Sequence, residues 1–215
     1  NKQTDASALL VKHYSQAFQK HGANASGVDW GCKKRHRLRL NAMFERLCFN
    51  KAEDGVLLDI GCGYGELVTV LKDYNTELED YYVGVEPCEE MVLSARELHA
   101  GYDFRVGDIE SFQPNLGISC VFCCGVFTKK LSLNDNEMYR LMRLFFKQCQ
   151  RWGASKVIFN VMSPLCDFKD DQLFYPEFGK LMSLIFDVWG YDIDLFNFSN
   201  DYLKYESCCF LKIGT

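Results

Sequence analysis

The stretch Leu58-Asp59-Ile60-Gly61-Cys62-Gly63-Tyr64-Gly65 decides the fold. It begins inside a short continuous apolar run, Gly55-VLLDI-Gly61, of the kind expected of a strand covered on both faces. Three glycines at alternate positions follow, and the chain then enters a helical pattern from about Glu66 to Lys72. Glycine at such a junction permits a tight turn and lets a ligand approach the backbone closely. A plain strand-to-helix turn rarely needs three. Dinucleotide sites use GxGxxG, with the third glycine one position later and the helix N-terminus aimed at a pyrophosphate. Here the spacing is GxGxG.

Outward from this loop, apolar runs and helical patterns alternate. Strands are expected at 81–86, 104–106, 119–124 and 156–161, with helices at 89–99, 135–151 and 176–189. Upstream, two helices are expected at 6–20 and 33–49, joined by the loop HGANASGVDWG. The last two extended stretches, 191–197 and 205–213, leave no room for a helix between them, so they should pair antiparallel. The alternation predicts an α/β fold: a doubly wound, seven-stranded, mostly parallel Rossmann-like sheet with a C-terminal antiparallel strand, plus an N-terminal helical cap. Residues 1–50 are read as the cap and 51–215 as the ligand-binding domain, one structural domain overall.

Two acidic residues take their meaning from position. Glu86 ends the second strand about 25 residues after the loop, where a carboxylate can accept hydrogen bonds from both hydroxyls of a ribose. Asp108, with Ile109, follows the short third strand, where an Asp side chain and nearby amides can meet an adenine. Each is weak alone. In order, at the C-terminal ends of successive strands, they line the groove in which open α/β sheets bind ligands.

Composition bounds the rest. The chain has 215 residues, 48% hydrophobic and 25% charged, with formal charge -5, which suits one globular domain. The acidic balance disfavours a duplex nucleic acid, although a local basic patch remains compatible with it. Lys33-Lys34-Arg35-His36-Arg37 is the one basic cluster, read first as a solvated helix face and second as a contact for an anionic acceptor. No run approaches a membrane span, and NKQTDASALLVKHYSQAF does not read as a signal peptide, so no membrane association and a cytoplasmic location are expected. Among eleven cysteines the only CxxC is Cys120 to Cys123, inside an apolar run. A strand sends those two to opposite faces, and Cys208 and Cys209 likewise. Reduced, buried thiols are expected, and no metal site.

With those residues quoted, VLLDIGCGYGEL, YVGVEP and FRVGDIE resemble the nucleoside-binding motifs of class I S-adenosylmethionine-dependent methyltransferases. The trailing strand YESCCFLKI is similar to that family's inserted final strand. Over nearly the whole chain, HG, GVDW, FCCGVFTKKL, FNVMSP, DFKDDQLFY and DYLKYESCCF resemble a group of small bacterial methyltransferases without an assigned substrate. The resemblance implies S-adenosylmethionine as cofactor. It places Gly61, Gly63 and Gly65 at its methionine portion, Asp59 bracing the loop or the ammonium, Glu86 at the ribose, and Asp108 and Ile109 at the adenine. Tyr14 and Arg39 are the candidates for its carboxylate. Trp30, Gly125 and Phe127 are expected to face the acceptor, since the fourth strand end usually faces the transferred methyl group. An Asn/Asp-Pro-Pro-aromatic signature is absent there, which disfavours transfer to an exocyclic amine of a nucleobase or to glutamine. Cys62 is read as a spacer, and Cys123 and Cys124 are disfavoured as nucleophiles. His13, His21, His36 and Asp29 are the possible bases, and no catalytic residue declares itself.

The implied activity is in-line methyl transfer to a small molecule. The alternatives are RNA or protein methylation, or a non-catalytic cofactor-binding subunit of a larger assembly; a nicotinamide-dependent reductase is disfavoured by the glycine spacing. The sequence is silent on oligomeric state.

Overall fold

The computed structural model describes residues 2–74, 78–115 and 117–214, with side chains from residue 8 onward. Two helices lead, α1 (Lys2–His21) and α2 (Lys33–Leu47), followed by a one-turn helix α3 (Lys51–Asp54) too short to announce itself by period. Then come β1 (Val56–Ile60), α4 (Glu66–Asp73), β2 (Tyr82–Glu86), α5 (Glu89–Leu98), β3 (Asp103–Val106) and β4 (Ile118–Phe127). The chain closes with α6 (Asp135–Arg151), β5 (Lys156–Met162), α7 (Phe178–Trp189), β6 (Ile193–Ser199) and β7 (Glu206–Ile213).

The strands form one sheet in the order β3-β2-β1-β4-β5-β7-β6. Neighbours from β3 to β5 are parallel, while β7 runs antiparallel between β5 and β6. The order reverses between β1 and β4, the switch point where open sheets of this kind leave a crevice.

Alternation along the strands divides the core into two layers. Leu58, Val83, Val121, Cys123 and Cys209 face one side and pack with Met142, Phe145, Phe146, Leu181 and Trp189 of α6 and α7. Leu57, Tyr82, Cys120, Phe122 and Cys208 face the other and pack with Met43 and Leu47 of α2, Val68 and Leu71 of α4, and Val92 of α5. The Cys120/Cys123 and Cys208/Cys209 pairs therefore part to opposite faces, and all eleven cysteines are free thiols. Helix α6 starts where its sequence says: Asn134 and Glu137 form a reciprocal capping box.

Two departures from the sequence reading matter for the site. First, β4 runs on to Phe127, with an irregular register between Cys123 and Phe127 and Gly125 at φ +93°. Second, α2 packs into the sheet's helical layer through Leu40, Met43, Phe44 and Leu47. Residues 1–50 thus do not pack as one unit: α2 belongs to the helical layer, and α1 is held separately. A small cluster of Phe18, Tyr64, Cys88 and Met91, with Tyr14 and Val28 against it, fastens α1 down.

Candidate active site

A cavity opens over the C-terminal ends of β1, β2, β3 and β4, with about 1260 Å³ of empty space, its mouth included. Asp59, Gly61, Gly63, Glu86, Asp108 and Ile109 all line it. So do Tyr14, Trp30 and Gly125, contributed by three separate elements.

The glycine loop keeps its shape through the backbone. Gly61, Gly63 and Gly65 have φ values of +74°, +56° and +83°, which side-chain-bearing residues rarely adopt. The amides of Gly61 and Cys62 both donate to the Val85 carbonyl, at 2.8 and 3.2 Å. A Cβ on Gly61 would lie 2.6 Å from Val126, and one on Gly63 3.0 Å from Val28. Gly65 differs: a Cβ there would meet His99 and Phe104, at 2.8 and 2.9 Å, and the residue does not line the cavity. Its glycine serves close packing against His99 and Phe104, and it stands outside the cavity where a cofactor contact was expected.

The acids are held in place by hydrogen bonds. Glu86 is buried and accepts from the amides of Gly63 (3.1 Å) and Cys88 (3.0 Å). Burial outweighs those two bonds and pushes its carboxyl up to about 7. Asp59 accepts from the Tyr82 hydroxyl at 2.8 Å, and burial raises it too, to about 7. One oxygen of Asp108 takes the amides of Glu110 and Ser111 and the Ser111 hydroxyl, an Asx-type turn that shapes the rim. The Ile109 carbonyl is held by Gln148 at 3.1 Å.

Two expected site residues sit elsewhere. Arg39 does not line the cavity: its guanidinium makes a buried two-pronged pair with Glu206 and lies over the Trp30 ring, 3.6 Å from the centroid. A guanidinium so committed is not offered to a cofactor carboxylate. Phe127 is fully buried in the core against Phe145 and Phe159, because β4 continues to it and it shares the face of Val121 and Cys123. It faces no acceptor.

Of the candidate bases only His36 lines the cavity. It is 7% exposed, stacks on Trp30 (centroids 5.8 Å apart), and its Nδ1 has no hydrogen-bond partner. Burial, then the Arg39 charge, pushes the imidazole down to about 4. The reading of residues 33–37 as a solvated face therefore holds for Lys33, Lys34 and Arg35, which are exposed, and fails at His36. His13 bonds Asp29 at 2.6 Å, and Lys129 pairs with the same carboxylate, tying α1 and its loop to the segment after β4. His21 is exposed in the last turn of α1. Burial raises the Cys123 and Cys124 thiols well above their usual range, which keeps them protonated and poor nucleophiles.

The β4 side of the cavity rests on a network that sequence reasoning missed. The Gly125 amide donates to Asn160 Oδ1 at 2.7 Å, and Asn160 Nδ2 donates to Glu206 at 3.2 Å. Trp30 lies across Gly125, where a Cβ would come within 2.8 Å of Cζ2. An asparagine inside an apolar strand, two elements from the loop, is the only signal that pointed there.

Residues 57–150 match a family model described as a methyltransferase domain. No curated protein matches the sequence. Among solved structures, magnesium protoporphyrin IX methyltransferase from Synechocystis with bound S-adenosylhomocysteine (SAH) is 14% identical, with 100% of both chains covered and a TM-score of 0.64. A SAM-dependent methyltransferase from Leishmania major is 16% identical, covering 94% of this chain and 82% of that one, with a TM-score of 0.64. An S-adenosylmethionine-dependent methyltransferase from Clostridium acetobutylicum is 12% identical, covering 95% and 99%, with a TM-score of 0.58. At these identities the likeness is one of fold.

Proposed function

We propose, from the match of residues 57–150 to a methyltransferase-domain model and from the Rossmann-like fold, that the protein transfers a methyl group from S-adenosylmethionine to a small molecule held in the same cavity. S-adenosylmethionine is the cofactor of such a domain. One observation carries the small-molecule reading. Leu10, Val11 and Tyr14 of α1, with Val28 and Trp30 of the following loop, line the cavity together with the strand ends. A polymer needs an open groove, whereas this arrangement suits an acceptor that enters under a cover.

The residues present fit the cofactor. Glu86 has lone pairs beyond the two amides it satisfies, suited to ribose hydroxyls. The backbone of Gly61 and Gly63 approaches without side chains, and Asp59 supplies a carboxylate beside it. Ile109 offers an apolar wall for the adenine, with Asp108 at the rim. Bound, the cofactor supplies a methyl group already activated on a sulfonium. What remains for the chain is to align the acceptor and exclude water, a contribution that positioning alone can make large. Trp30, Tyr14 and Gly125 are placed for that task.

Calorimetric titration with S-adenosylmethionine, SAH and NAD tests the cofactor, repeated with Glu86→Ala. Micromolar binding of the first two, lost in the variant, is expected. Tight NAD binding with no response to the others would sink the reading. Incubation of metabolite, RNA and protein fractions with methyl-labelled cofactor tests the acceptor. Label is expected in the metabolites, and label only in RNA or protein overturns the small-molecule assignment. Incorporation that requires an added partner chain would favour a subunit role.

A further inference from the structure

The geometry points to His36 as the side chain that receives the carboxylate of the cofactor's amino-acid end, in the role the sequence offered to Arg39. The inference rests on the cofactor reading above. Across the sheet order the groove passes from Asp108 and Ile109 to Glu86 and then to Gly61 and Gly63. Next to the glycine loop the cavity is also lined by His36 and Leu40 of α2, Tyr64 of the loop itself, and Glu66 and Leu67 of α4. A cofactor lying with its adenine at the β3 end brings its amino-acid end to that part of the cavity.

A carboxylate leaving water needs donors or a cation there. Among the described residues no Lys or Arg lines the cavity, and His36 is the only lining side chain able to carry positive charge. Arg39 is committed to Glu206. The unpartnered Nδ1 of His36 is the kind of buried polar atom that almost always has a partner in a working site. Trp30 fixes the ring plane by stacking. Helix α4 begins beside it with no side chain capping its first turn, and a helix N-terminus favours an anion.

The charged groups acting on the imidazole are Arg39 and Arg37 of its own helix, which oppose protonation, and Glu66 of α4, which favours it. Burial and Arg39 together keep it neutral. A carboxylate placed alongside shifts the balance toward the imidazolium. Cofactor capture then takes up one proton from solvent at His36, and no other bond changes.

The test compares SAH with 5′-methylthioadenosine, which keeps the adenosine and thioether and lacks the amino-acid end. In His36→Gln, calorimetry should show SAH affinity falling on the order of ten- to a hundredfold, the scale of a lost charge-assisted hydrogen bond. Methylthioadenosine affinity should not change, which also reports that the variant is folded. In the wild-type protein, imidazole ¹⁵N shifts at neutral pH should move to the protonated position with SAH and stay neutral with methylthioadenosine. Equal loss for both ligands, no loss for either, or a neutral ring in the SAH complex overturns the assignment. A wild-type protein that binds neither ligand overturns the cofactor reading itself.

Discussion

Gly125→Ala isolates the contact between the end of β4 and Trp30 in the cavity wall. The residue has φ +93°, and an alanine held at positive φ costs roughly 1–2 kcal/mol. The added Cβ would also fall 2.8 Å from Trp30 Cζ2. That ring cannot move freely, because Arg39 and His36 are stacked on it. Overpacking of this kind adds roughly 1–3 kcal/mol, so the total destabilisation should be about 2–5 kcal/mol. The amide bond to Asn160 survives the substitution and does not enter the difference. Trp30→Ala removes the obstacle and leaves the backbone strain, so in that background Gly125→Ala should cost only about 1–2 kcal/mol. Urea unfolding of the four proteins, followed by far-UV circular dichroism, measures the cycle. An equal cost of Gly125→Ala in both backgrounds would refute the placement of Trp30 over Gly125.

Two further outcomes follow from buried charge. Arg39→Met and Glu206→Gln should each lower stability by about 3–5 kcal/mol, because each leaves its partner's charge buried and uncompensated; the Arg39→Met/Glu206→Leu double variant should recover much of that in the same unfolding assay. For Glu86, burial pushes the folded carboxyl up to about 7 from the ordinary 4.5. A group so raised contributes stability that is complete below pH 4.5 and is lost as pH climbs through 7. Glu86→Gln does not ionise, so relative to wild type it should gain about 3 kcal/mol between pH 4 and pH 8. Unfolding free energies at the two pH values check the sign, and a gain toward low pH would contradict it.

Much of this molecule could be read locally. The VLLDI run, the period-two alternation of Cys120 to Cys123 and the helical spacing of 135–151 each depend on neighbours a few residues away, and the sheet with its inserted last strand followed from them. Helix α3 escaped because four residues carry no period. The groove-lining Asp59, Gly61, Gly63, Glu86, Asp108 and Ile109 were legible for a related reason. Residues at the ends of parallel strands are brought together by topology whatever their side chains do.

The sequence by itself thus determined which residues end the strands, and hence which ones share the groove. Only the tertiary structure decided which charges remain available within it. Arg39 and Glu206 lie 167 positions apart, and nothing in either neighbourhood announces that a desolvated guanidinium will find its carboxylate there. Phe127 belongs to the core because β4 runs on past Cys124 and keeps it on the face of Val121 and Cys123, an extension that no local pattern announced. His36 looked like one of five basic residues on a helix face, and packing against Trp30 buried it alone. Periodicity is a local property of the backbone. Burial and pairing are set by whatever the rest of the chain brings alongside.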